Sequence, residues 1–356
     1  PVWLGGPDNF TSNFFSTRIK TGNQYSSRVL LWRNQYDLGR KDSLVTDSTV
    51  VPLFFPRVRL EHQLRYDKEQ FAFIDKVPGA DYYNRYYQIP VNFGDTIDLR
   101  DQWQTFTNDF SIYQFPDEKN LKQYFKAGAS LQLIWGTTAL QMRSFFNSSG
   151  YFSYRNITRN KKWDLSLDGV LYWAGINAGD YQASVRMQRI LGKKKNSIEV
   201  SGINTNRRPS FIFDQRSSFY LSKRLLEFNK ENITQLSASL DLPVVGAKLS
   251  GNYLLLTNYT YLTNFFEPQQ ESTLFSVLQL SLLKTFRIAK QWRWHTELYW
   301  QQPVGAAPVN TIPFFLRNRF AYEGNLGFKN LNLATGLEVR YRPPYKADAY
   351  SPLLGQ

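Results

Sequence analysis

The feature that most constrains this chain is an alternation with period two, which recurs along its length and splits segment after segment into an apolar and a charged face. Two is the period at which successive side chains of a β-strand point to opposite sides. In one segment Trp163, Leu165, Leu167, Gly169, Leu171 and Trp173 stand on one face, and Asp164, Ser166 and Asp168 begin the other. In another, Trp292, Trp294, Leu298 and Trp300 alternate with Arg293, His295, Glu297 and Gln301. Val58, Leu60, Leu64 and Tyr66 are set against Arg57, Arg59, Glu61, Gln63 and Arg65 in the same way. So are Leu236, Ala238, Leu240 and Leu242 against Gln235, Ser237, Ser239 and Asp241. Tyr181, Ala183, Val185 and Met187 face away from Gln182, Ser184, Arg186 and Gln188, and Leu337, Val339 and Tyr341 away from Glu338, Arg340 and Arg342. Residues 27–37 and 145–158 mix aromatic and polar side chains on both faces and read as less regular strands. Helical spacing is convincing nowhere; the best stretch, Ser222 to Asn229, is short enough to be a loop turn.

A soluble two-sheet sandwich also alternates, so the chemistry of the faces has to decide. The polar face is densely charged, and the apolar face ends repeatedly in aromatics, in a chain with 16% aromatic residues but only 42% hydrophobic residues overall. Trp163 and Trp173 bracket a leucine run, and Trp292 and Trp300 nearly repeat the spacing. At roughly 3.3 Å per residue on a tilted strand, that interval matches the height of a bilayer's apolar band. Such residues are expected at the two membrane interfaces, where amphipathic rings prefer the headgroup level. Hydrocarbon leaves no water for backbone groups, so a sheet that spans it closes on itself. The expected fold is therefore an all-β, antiparallel transmembrane β-barrel. At about ten residues per strand and about twelve per connection, the chain supplies roughly 14 to 16 strands. A barrel that wide encloses water or a plug.

No run approaches 18 apolar residues, which excludes a spanning helix. The opening PVWLGGPDNF carries no basic leader or apolar stretch, so an export signal is expected to be absent from this sequence. With no cysteine, disulfides, thiolate metal sites and cysteine nucleophiles drop out. Connections alternate between tight ones (243–246, 289–291, 323–325) and roomier ones (223–231, 259–272, 302–312), as hairpins of an outer-membrane barrel do. Long loops are expected near 37–55, 76–103, 259–272 and 302–312. No linker of biased composition divides the chain, so residues 1–356 read as one domain. The closing RPPYKADAYSPLLGQ has no terminal aromatic strand, and further sequence is expected after Gln356.

The stretches LSASLDLPVVGAKLSGNYLLLTNYTYL (Leu236 to Leu262) and RNRFAYEGNLGFKNLNLATGLEVRYRPPYKADAYSPLLGQ (Arg317 to Gln356) resemble the putative porin family of Bacteroidota outer membranes. The similarity lies in strand rhythm and turn phrasing across most of the chain, and no sharp motif carries it. It implies a large outer-membrane barrel, in contact with lipid and lipopolysaccharide, whose solute is unassigned. It also implies that relatives can serve as subunits of larger outer-membrane assemblies such as the type IX secretion translocon. No functional residue is carried over.

The residues expected to line the pore are Arg57, Arg59, Glu61, Arg65, Asp164, Asp168, Arg186, Arg293, Glu297, Glu338, Arg340 and Arg342. An excess of arginine in a low-dielectric tube favours anions mildly; the competing reading has these charges pairing with one another across a blocked lumen. Enzymatic chemistry finds no support. Asp164 and Asp168 lie roughly 13 Å apart on one strand face, too far for glycoside hydrolysis. His62 falls on an apolar face and His295 on a polar one, in distant strands. No metal or other cofactor is expected, and the basic residues, net +14, are too dispersed for a nucleic-acid face. Lys193 to Lys195 read as a solvated turn, and the sequons at Asn9, Asn147, Asn156, Asn232 and Asn258 carry no information in a bacterial barrel. The expected function is passive diffusion of small polar or anionic solutes. The rivals are a sealed barrel subunit and a secreted all-β adhesin that never inserts.

Overall fold

The computed structural model describes residues 21–354, apart from 46–48, 77, 93, 139–140, 193–195, 349–350 and 352. The chain forms β1 (Thr21–Val45), β2 (Val50–Asp75), α1 (Ala80–Tyr87), β3 (Ile97–Gln114), β4 (Gln123–Thr137), β5 (Met142–Ile157), β6 (Trp163–Gly175), β7 (Tyr181–Leu191) and β8 (Asn196–Arg207). A 3-10 turn (Phe211–Phe213) precedes β9 (Glu231–Leu242), β10 (Ala247–Thr257), β11 (Tyr259–Thr263), β12 (Glu267–Glu271), β13 (Phe275–Arg287), β14 (Trp292–Val304), β15 (Phe314–Gly324) and β16 (Leu333–Tyr341). Fourteen strands make one sheet in the order β1 to β10, then β13 to β16, and β11 and β12 pair as a separate hairpin. Each strand pairs antiparallel with its neighbour. Among the described residues, no pairing joins the edge strands β1 and β16.

Connections segregate to two rims. One rim carries the turns at 46–49, 115–122, 158–162, 192–195, 243–246, 288–291 and 325–332. The other carries two tight links, 138–141 and 176–180, and the large excursions 76–96, 208–230, 258–274 and 305–313. The segment after β16 starts at this loop rim.

Contacts at the loop rim show that the sheet is curled. Phe73 of β2, Tyr83 and Tyr87 of α1, Ile97, Phe219 and Leu353 form one buried cluster, with Phe265 and Phe266 from the β11–β12 hairpin packed against it. Laid flat, β2 and β16 would stand about twelve strand spacings of ~4.8 Å apart, near 58 Å. From the end of β16 to Leu353 the chain reaches at most about 43 Å. Only a sheet curved toward closure brings Leu353 onto Phe73. The segments that cross between distant strands therefore lie on its concave side. Among the described residues most of the buried apolar side chains gather here and in a second cluster at the same rim, Leu256, Phe275 and Val277, while Phe115 and Ala321 are buried toward the turn rim.

Three sequence expectations need correction. Within the expected loop 37–55, residues 37–45 and 50–55 are strand: they belong to the β1–β2 ladder, which runs on to Val45 opposite Val50. Gly39 stands opposite Pro56 at a register shift, where the missing N–H and the missing side chain are both accommodated, and Pro52 pairs with Ser43 further along the ladder. A Cβ on Gly39 would fall 2.0 Å from the Phe55 carbonyl oxygen. The long link after β2 ends at 96, because residues 97–103 already belong to β3, with Ile97, Leu99 and Asp101 turned inward at the loop rim while Asp98 and Arg100 face outward. Finally, Ser222 to Asn229 is irregular, as its shortness allowed, but a helix lies at Ala80–Tyr87, where the sequence showed no helical spacing. Two turns are too short for periodicity to stand out, although Tyr83 and Tyr87, four apart, are buried while Tyr82 and Tyr86 remain exposed.

Candidate pore lining and capped mouth

Following the registers across the sheet, one face is continuous. On it stand Asp37, Arg59, Glu61 and Arg65, then Asp109, Lys126, Arg155, Asp164, Asp168, Arg186 and Glu199, and further on Arg293, His295, Glu297, Arg317, Glu338 and Arg340. It is the face the loop-rim segments cross, hence the concave one. The opposite face exposes Leu171, Val185, Val200, Leu249, Leu280, Leu337 and other apolar side chains.

The expected pore-lining residues are not gathered into one ring; they form local networks. Arg59 grips Asp37 through two bonds, 2.7 and 3.0 Å, and lies over the Phe115 ring. Glu61 is buried and takes contacts at 3.4 Å from both Lys126 and the Tyr113 hydroxyl. Arg57 pairs with Glu118, and Arg65 with Asp67 at 2.7 Å. Charges alternate across four strands in the series Arg155, Asp164, Arg186, Glu199, with separations of 3.1, 3.7 and 2.8 Å. Asp168 accepts from the Ser153 hydroxyl at 2.6 Å. Near the other edge, Arg293 and His295 share Glu323, while Arg317 bridges Glu297 and Glu338, which also holds Arg340. Arg342 lies beyond β16 and stacks on Tyr345. Nearly all the arginines read from the sequence thus have carboxylate partners, which offsets the field their excess suggested.

On the outer face the tryptophans fall in two tiers. Trp163 and Trp292 begin their strands at the turn rim, Trp173 and Trp300 stand toward the loop rim. Trp173 is 54% exposed and occupies an extra position in the ladder, where Tyr172 pairs with Ser149 and Ala174 with Ser148. His62 shares this outer face, bonded to Asn108 at 2.9 Å and edge-on to Trp32. His295 sits inside, between Thr285 and Glu323. Among the described residues no group of three or more His, Asp and Glu is placed to hold a metal. Lys193 to Lys195 and Asn9 lie outside the described residues.

The mouth at the loop rim holds the part of the site that sequence reading missed. Residues 208–230 leave β8 and reach across to β3, where buried Asp101 accepts from the Ser217 hydroxyl at 2.6 Å and the Ser218 N–H at 3.0 Å. Phe211 meets the Trp103 ring edge-on at 4.5 Å. Arg216 pairs with Asp214 and lies over Phe145 and Phe211. Burial pushes the Asp214 carboxyl up, but the hydrogen bonds from Arg216 outweigh it and hold the group below the usual carboxylate range. Burial also drives the Tyr83 phenol far above its ordinary value, reinforced by its 2.7 Å bond to Asp75. Between residues 208–230 and the wall of β3 to β5 lies a recess of about 820 Å³. One signal pointed here: Trp103 and Phe145 are aromatic on the face that carries most of the charged side chains.

A curled antiparallel sheet, polar within and apolar without, with short turns at one rim and a folded cap at the other, is the architecture of a large outer-membrane-type barrel. The chain belongs to the family described as Putative porin, whose model matches residues 4–356. No curated protein matches it significantly. Among solved structures it is similar to the copper transporter OprC, at TM-score 0.59 and 12% identity over 93% of this chain and 54% of that one. It also resembles a mutant of the ferric enterobactin receptor PfeA of Pseudomonas aeruginosa, at TM-score 0.55 and 10% identity over 89% and 50%. The siderophore receptor PirA of the same organism matches at TM-score 0.50 and 11% identity over 90% and 62%. The chain therefore spans only about half to three-fifths of the length of these proteins. At such identities the likeness is one of fold.

Proposed function

We propose that this protein is an outer-membrane barrel, of the Bacteroidota type its sequence resembles, that gives small polar solutes a passive, water-filled path across lipid. The observation that carries this reading is a charge-rich face that continues from β1 to β16 on the concave side, with apolar patches at Phe73 and at Leu256, Phe275 and Val277 under the loop rim, opposite a face of exposed leucine, valine and tryptophan. An apolar surface of that extent is at home only against acyl chains. On this reading Trp163 and Trp292 sit at one headgroup level and Trp173 and Trp300 at the other, the turn rim faces the periplasm and the loop rim the exterior. The neighbours' names, a transporter and two receptors, agree with a transport role and leave the cargo open. No covalent step is needed: the lumen lowers the cost of moving a hydrated solute through hydrocarbon, and the capped mouth sets the size limit. Since most inner arginines have acidic partners, ion preference is mild and toward anions.

The test is conductance of the detergent-purified protein in a planar bilayer, with the reversal potential read in a salt gradient. Stepwise currents with a slight anion preference support the reading; marked cation preference overturns the selectivity part. A folded protein giving no steps favours the second reading, a sealed subunit of a larger outer-membrane complex. That alternative draws on the apolar core joining α1, Phe219, Leu353 and the β11–β12 hairpin across the mouth. A protein that stays dispersed in buffer without detergent overturns both.

A further inference from the structure

We infer that the recess beneath residues 208–230 binds a neutral oligosaccharide at the entrance to the lumen. This rests on the channel reading above and names a solute class for it. The recess, about 820 Å³, has the size of a site for a ligand of several rings. Its charges balance: Arg208, Arg216 and Lys230 stand with Glu69, Asp214 and Glu227. Arg216 is already bound to Asp214, and Lys230 to Asp180 at 2.8 Å. An anion gains nothing from such a lining, and an ion of either sign must give up its hydration there.

What remains is aromatic surface beside polar groups. Trp103, Phe145 and Phe211 pack into one half-buried wall, with ring centroids 4.5 and 6.2 Å apart around Trp103. The Trp103 ring lies over Gly136, whose absent Cβ would come within 2.6 Å of it. A pyranose ring is apolar on its C–H faces and hydroxylated at its edges, so it stacks on aromatic rings while its hydroxyls seek amides and guanidinium groups. Gln215 and Arg216 supply those. Each is fixed beforehand, Gln215 by donating to the Leu226 carbonyl at 3.1 Å and Arg216 by donating to Asp214 at 2.6 Å. Little side-chain freedom is lost when a ligand arrives. An extended peptide fits less well, because it docks by adding a strand to a free sheet edge. The strands behind this recess, β3, β4 and β5, are paired on both sides.

The experiment is current blockade in planar bilayers by maltotriose, by cellotriose and by triglycine, each added from the loop-rim side. At least one trisaccharide is expected to interrupt the current. Trp103→Ala, Phe211→Ala and Gln215→Ala should each raise its half-blocking concentration about tenfold or more. Val245→Ala, on the opposite rim, should leave it unchanged. Heat-dependent gel mobility shows that each variant is folded, and Gln215→Ala spares the aromatic packing if the ring variants do not fold. Steps that neither trisaccharide interrupts, or that triglycine blocks as well, overturn the inference and leave the channel standing. Should the protein give no steps, the channel reading fails instead. Calorimetric titration of the purified protein with the two trisaccharides then decides: saturable heat supports the site, and its absence overturns it.

Discussion

Asp101 is an inner-face residue of β3, 5% exposed, and its carboxylate is the anchor of a segment more than a hundred residues away. Charge-assisted acceptors of this kind are short and strong, and deleting one strands its buried donors at a cost of about 1–3 kcal/mol. Asp101→Ala should therefore free residues 208–230 while the sheet stays intact: trypsin cleaves at Arg208, Arg216 or Arg224 faster than in the parent, with heat-dependent gel mobility unchanged. Equal cleavage rates would show that the anchor carries no load. Gly175 is the backbone counterpart. It has φ +101°, and a Cβ there would meet the Phe146 carbonyl oxygen at 1.9 Å, beside the extra position taken by Trp173. Gly192 also has positive φ, +66°, but open space around it. Gly175→Ala should lower the unfolding free energy more than Gly192→Ala, by about 1–3 kcal/mol against about 1, as read by urea titration in detergent. Of the side chains around these positions, the place of Trp173 on the apolar face was legible from alternation alone. Asp101 was not, since nothing in its neighbourhood announces Ser217 and Ser218.

At the level of elements, the strands were legible because each has one face against water and charge and the other against apolar surroundings, which imprints period two on the sequence. Tight links expected at 243–246 and 289–291 fall where short turns are found, but the one expected at 323–325 is an eight-residue link, 325–332. What failed to show was α1, whose Tyr83 and Tyr87 are buried by residues from three other segments, and the far part of the β1–β2 hairpin, whose exposed ladder imposes no contrast between its faces. Residues 208–230 belong with these, having no regular structure beyond one 3-10 turn and being held by Asp101, Trp103 and the Asp214–Arg216 pair. That pair makes the segment pH-sensitive. The Asp214 carboxyl is depressed in the folded state, so its stabilisation is complete above the ordinary carboxylate value, ~3.9, and is lost as pH falls through the lower folded value. Channel currents should be quiet at neutral pH and grow noisy as the pH drops below about 4. Asp214→Asn should be noisy at neutral pH already. Identical noise in the two proteins across the whole range would remove Asp214 from the account.

At the scale of the whole molecule, the curl of the sheet and the cap are one structure. The cluster that draws Leu353 onto Phe73 and Tyr87 is the reason a fourteen-stranded sheet cannot lie flat, and it is also what narrows the mouth. Burying each of these large side chains contributes about 1.5–3 kcal/mol, so the cap adds to the stability of the curve it spans. The absence of cysteine makes this testable with little background. The Tyr87 hydroxyl lies 3.5 Å from the Ser351 hydroxyl, but the length of the phenol keeps the two backbones beyond the reach of a direct disulfide. A Tyr87→Cys, Ser351→Cys double variant should instead be bridged by a short bismaleimide, giving a product of altered gel mobility that neither single variant forms. In planar bilayers the bridged protein should show quieter currents than the same variant left unbridged, because the tie holds the cap to α1. If no bridge forms in protein that is otherwise folded, the two ends of the sheet do not meet at the mouth. The curvature, the cap and the recess beneath it would then all need a different explanation.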